Sequence, residues 1–95
     1  MSNIVMPRLA GTRERAVNLT QGLPADLHDA VVSIDASDVV AAAQSFADEL
    51  CKQILEVRHA ARLEVHCATP RFANYLNSSA QVRGLTDRLS VDVQP

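Results

Sequence analysis

The strongest constraint in this chain is a regular alternation of two residue periods. "AVVSID" (Ala30 to Asp35), "RLEVHCA" (Arg62 to Ala68) and "LSVDV" (Leu89 to Val93) repeat every two residues, as strands do. Val32 and Ile34 share one face, and Ser33 and Asp35 the other. Leu63, Val65 and Cys67 oppose Glu64 and His66, and Leu89, Val91 and Val93 oppose Ser90 and Asp92. Between these runs lie segments of helical period. From Ser45 to His59, Phe46, Leu50, Ile54 and Val57 recur at helical spacing, with Cys51 and Leu55 widening the stripe. Asp48, Glu49, Lys52, Gln53, Glu56 and Arg58 take the opposite side.

The remaining elements follow from punctuation. "NIVMP" (Asn3 to Pro7) reads as a first strand that Pro7 ends or confines to an edge. Thr12 caps a helix from Arg13 to Gln21, with Glu14 in its first turn and Gly22 and Pro24 at its stop. Thr69 and Pro70 open a third helix whose buried face is Phe72, Ala73, Leu76 and Ala80. A single helical turn at Leu85 to Arg88 precedes the last strand.

Helices between strands imply parallel pairs joined by right-handed crossovers. A parallel sheet covered on both faces has continuously apolar strands. Here polar residues occupy every second position, so the helices pack mainly on one face. The expected fold class is a two-layer α/β domain with a small mixed or mostly parallel sheet. Its 95 residues make one domain, 1–95, and 47% hydrophobic content supplies a core without staples. Aromatic residues are only 3%, so the expected core is aliphatic.

Composition also excludes partners and chemistries. A net charge of −2 with no basic stripe argues against nucleic acid. The densest basic stretch, Arg58 to Arg62, reads as a solvated helix end, where cations suit the dipole. No apolar run reaches the ~20 residues of a membrane span, and Met1 to Ala10 has neither a long apolar stretch nor a charged leader. Cys51 and Cys67 read as buried thiols of a reducing compartment, so the expected location is cytoplasmic. No glycine-rich phosphate loop or dinucleotide fingerprint is present. Cys67 and His66 point to opposite faces of a strand, which disfavours a shared metal. Cys51 and His59 lie eight residues apart on one helix, too far for a nucleophile pair. The expectation is a non-enzymatic protein with no cofactor and no metal.

Two features remain. Asp35 and Asp38 follow a strand end, where α/β proteins often place functional loops, and two such residues also simply make a turn. Ser45 stands at the start of the long helix. As N-cap it would accept a hydrogen bond from the N–H of Ala47 or Asp48, with Asp48 at the capping-box position. A serine hydroxyl at a helix N-terminus also stands in a favourable field for a phosphate.

"VVSIDASDVVAAAQSFADEL" resembles the strand–loop–helix core of STAS domains, named for sulfate transporters and anti-sigma factor antagonists. Asp35, Ala36 and Ser37 match the strand-end Asp-x-Ser, and Ser45 falls where the family's regulatory serine lies. A closer resemblance is to a STAS-like family of unknown function. Its "SFADEL" helix start and "TRE" helix match Ser45 to Leu50 and Thr12 to Glu14, and the likeness covers about Gly11 to Val93. The resemblance implies a regulatory module that docks on a histidine-kinase-like ATPase or similar regulator. The implied partner-binding residues are Asp35, Ser37, Asp38, Gln44, Ser45, Phe46, Asp48 and Glu49, with Ser45 the candidate phosphate acceptor. It implies, as the alternative, a domain sensing a small ligand or nucleotide.

The chain departs from the antagonist pattern. Ala43-Gln44-Ser45-Phe46 replaces Asp-Ser-Ser-Gly, and Asp48 and Glu49 add negative charge that opposes a phosphate on Ser45. Self-association is a further expectation, through the polar sheet face or the small-residue stretch Val39 to Ala43.

Overall fold

A computed structural model describes residues 2–94 and shows a two-layer α/β fold. β1 (Ser2–Val5), β3 (Val31–Asp35), β5 (Arg62–Ala68) and β6 (Leu89–Val93) form a sheet in the order β1-β3-β5-β6. All three pairings are parallel. Two short strands, β2 (Leu9–Ala10) and β4 (Ala41–Ala42), pair in parallel beside it. The helices are α1 (Arg13–Thr20), α2 (Gln44–Cys51) and α3 (Pro70–Arg83), with a 3-10 turn at Thr86–Arg88.

Each sheet strand lies beside the next one in the chain, so every crossover steps the same way. Right-handed crossovers then place all three helices on one face. The register shows the result. Ile4, Ile34, Val65 and Val91 form one row toward the helices, and Val32, Leu63 and Leu89 another. Asn3, Ser33, Glu64 and Ser90 line up on the open face.

The core is less aliphatic than composition implies. Phe46 and Phe72 are both fully buried, their rings 6.3 Å apart and tilted by 53°. Few aromatics does not mean peripheral ones: this pair joins α2 to α3 within the same core cluster as Val32, Ile34, Leu63 and Val65.

The β2–β4 pair was not expected from the sequence, and two of the expected elements depart in detail. The long helix begins one residue before Ser45, and its regular turns end at Cys51. It continues as π turns over Lys52–Val57, where the Arg58 N–H donates to the Gln53 carbonyl at 3.1 Å. The wider turn rotates Val57 off the apolar stripe, leaving it 48% exposed. In β5 the alternation fails at Cys67, which adopts a left-handed φ of 62°. The pairing with β6 slips between Val65 and Ala68, so Ala68 takes the buried position and Cys67 turns outward. Only Cys51 is a buried thiol, and burial pushes its pKa up to about 11. Arg58 is no free helix-end cation either. Its guanidinium donates to the carbonyls of Leu23 and Pro24, both at 3.2 Å.

Candidate functional site

The candidate residues gather at the C-terminal end of β3 and the start of α2. Asp35 is exposed, and its Oδ1 accepts the Ser37 N–H at 2.9 Å. Hydrogen bonding from Ser37 holds the carboxyl below its ordinary pKa. The turn is pinned from below by buried Ala36, whose N–H donates to the His66 carbonyl, and by buried Val39. Beyond it the Val40 N–H donates to the Arg8 carbonyl and the Ala43 N–H to the Ala10 carbonyl, both at 2.8 Å. The β3–α2 connection is therefore braced against β2. Ser37, Asp38 and Gln44 point to solvent, as do Val40 (65% exposed) and Leu9 (59%).

Ser45 does not cap α2. The N-cap is Ala43, with φ −96° and ψ 152°, and no side chain bonds the first-turn N–H groups. Gln44 and Ser45 are the first two helical residues. A helix held by tertiary packing can start without a side-chain cap. Ser45 is half-buried and lines a cleft of about 290 Å³ between α2 and α3, with Arg13, Asp48, Tyr75, Ser78 and Val82 among its walls.

Two expected partner-facing residues face inward. Phe46 packs on Phe72 in the core. Glu49 is 6% exposed, accepting from Gln53 Nε2 at 2.7 Å and Arg13 Nη1 at 3.4 Å. Neither side chain presents a surface to a partner. Asp48 is chiefly a cross-brace. Its carboxylate accepts from Arg13 and Ser79 at 2.8 Å and from Arg83 at 3.0 Å, tying α1, α2 and α3 together. Arg83 continues to Glu56 at 3.0 Å. Partial burial opposes ionisation of Asp48, but the hydrogen bonds from Arg13, Ser79 and Arg83 prevail and hold its pKa at about 2.

This network was hidden in the sequence, because Arg13 and Arg83 each lie 35 positions from Asp48. The available signal was indirect: two carboxylates beside a buried stripe need cations. The charge on Asp48, expected from the sequence to oppose a phosphate on Ser45, already has two cationic partners in Arg13 and Arg83.

On the open face, His66 Nδ1 lies 2.9 Å from Asp92 Oδ2, and Asp35 stands opposite His66 in register. Among the described residues, no group of three or more His, Cys, Asp and Glu side chains is placed to hold a metal ion, and no helix is long and apolar enough to cross a membrane. Comparisons with protein-family models, curated proteins and solved structures return no match for this chain.

Proposed function

We propose that this chain is a STAS-like regulatory interaction module that docks on a protein partner, a histidine-kinase-like ATPase or similar regulator. The contact surface is the β3–α2 connection and the exposed start of α2. One observation carries the reading. Backbone bonds to β2 and the buried Ala36 and Val39 brace a loop that displays Ser37, Asp38, Val40 and Gln44 to solvent. A braced loop loses little entropy on binding, which favours recognition. Ser45 is the candidate phosphate acceptor within this surface. It sits at the uncapped start of α2, where N–H groups favour an anion. Arg13 lines the same cleft.

The test is calorimetric titration against histidine-kinase-like ATPases of the same genome. Val40→Asp is expected to weaken binding at least tenfold, an exchange of apolar contact for a buried charge. Val57→Asp, on the far end of the helix, is expected to leave it unchanged. Equal responses to both changes place the docking surface elsewhere.

The cleft beside Ser45 favours a second reading, a small-ligand or nucleotide sensor, because Arg13, Ser45, Ser78 and Tyr75 line it. A thermal-shift screen with nucleotides and anions separates the two. A rise in Tm with ligand concentration supports sensing, and a flat response rejects it.

A further inference from the structure

The two edges of the sheet differ. β1 is four residues long and is followed within two positions by Pro7, which cannot donate to a ladder. β6 is guarded more lightly, by the single charge of Asp92 and by the slip in its pairing with β5 beyond Val65. It pairs only with β5 among the described residues, and it contains no Lys, Pro or Gly. Its helix-facing row is also unfinished. Leu89 and Val91 are only half-buried, and Val93 is 48% exposed. Leu89 and Val91 pack at the rim of the core, Val93 extends their row outward, and no further strand lies beside them among the described residues.

We propose that two copies of this chain join β6 to β6, antiparallel, about a two-fold axis at Val91. The four-stranded sheets become one of eight strands with all helices on the same side. The sequence of β6 selects this register. Leu89 of one copy faces Val93 of the other, Val91 faces itself, and Ser90 faces Asp92, whose carboxylate can accept from the serine hydroxyl. A slip of one residue puts apolar side chains on the open face. A slip that centres the axis on Asp92 sets two carboxylates against each other, and one centred on Ser90 sets Val93 against Asp87. The neighbouring helix offers no obstacle in charge. The side of α3 away from α2 exposes Asn74, Asn77 and Gln81, none of them ionisable. Charge depletion is the compositional mark of interface cores.

A five-residue edge buries less than the roughly 1,600 Å² of a standard interface, so the dimer is weak, with a Kd on the order of tens of micromolar. The proposal does not rest on the docking surface at β3–α2, which is formed by other residues. Its test is sedimentation equilibrium of the full chain from about 10 µM to about 1 mM, a range that brackets the expected Kd. Each dimer contains the 90–92 pair twice. Ser90→Asp is therefore expected to weaken the dimer roughly tenfold, and Ser90→Lys to strengthen it several-fold. Circular dichroism verifies the fold of both, since Ser90 also neighbours Glu64. If Ser90→Asp unfolds, Val93→Lys at the exposed strand end supplies the reading, with loss of the dimer expected. A chain that stays monomeric to about 1 mM overturns the proposal, as does a dimer indifferent to the sign of charge at position 90 and to Val93→Lys.

Discussion

α2 and α3 lie side by side on the same sheet, and their ends are built in opposite ways. α3 carries its own instructions. The Thr69 hydroxyl accepts the Phe72 N–H at 3.2 Å, Pro70 fills the first turn, and Gly84 closes the helix in a left-handed conformation at φ 71°. α2 has none of these. Ala43 is its N-cap, no basic residue serves its last turn, and it dissolves into π turns. Arg88, from beyond α3, reaches the carbonyls of Leu55 and Ala60 instead. Yet α2 is the more buried of the two, with Phe46, Ala47, Glu49, Leu50 and Cys51 all inside. A helix can be specified by its termini or by what packs on it. Here the helix nearest the candidate site is of the second kind.

Mutations of graded size test that contrast. The largest effect is expected where the helices meet. Phe46→Ala should cost about 3–5 kcal/mol in chemical denaturation, the usual loss for a buried phenylalanine. Phe72→Ala should cost about the same. A small loss at Phe46 would break the claim that packing holds α2.

Next comes the cross-brace. Asp48→Asn leaves Arg13 and Arg83 without their shared carboxylate and should cost about 1–2 kcal/mol. The folded pKa of Asp48, about 2, lies below its ordinary 3.8. Its stabilisation is therefore present above about pH 4 and is lost as pH falls toward 2. An acid-unfolding series should show Asp48→Asn flattening the curve in that window. A slope unchanged by the substitution would remove Asp48 from the account of how α2 is held.

The caps give smaller effects and sharpen the comparison. Thr69→Ala should destabilise by about 1 kcal/mol. Ala43 already has the extended backbone of an N-cap, so Ala43→Ser should stabilise by about 0.5–1 kcal/mol as its hydroxyl takes up a first-turn N–H. Ser45→Ala should change stability by only a few tenths of a kcal/mol, because Ser45 lies inside the first turn. A loss near 1 kcal/mol there would restore Ser45 as the cap.

Much of the fold was legible. The strand alternation foretold the one-sided sheet, and Thr12, Thr69 and Pro70 marked two helix starts. Those signals act within three or four residues, so the sequence states them directly. The errors share a cause. Ser45 has the residue type of a cap, but its place in the helix depends on where Phe46 must sit to meet Phe72. Cys67 continues the alternation on paper, but the strand bulges there, beside Gln94, which donates through its backbone N–H to Ala68 and through its side chain to Cys67. In the candidate site, Asp35, Ser37, Asp38 and Gln44 are exposed. Phe46 and Glu49, named with them as partner-binding, are buried.

The sequence by itself determined the four strands of the main sheet, the three helices, their order, and most of the wet and dry faces, but not the short β2–β4 pair. Period, cap and breaker residues act locally, and the handedness of crossovers is general. Tertiary structure alone decided what faces out around Ser45. Three helices had to share one face of a four-stranded sheet. That packing drew Phe46 into the core and brought Arg13, Ser79 and Arg83 onto Asp48 from distant parts of the chain. No local rule carries pairings at that separation, because the contacts exist only once the layers close.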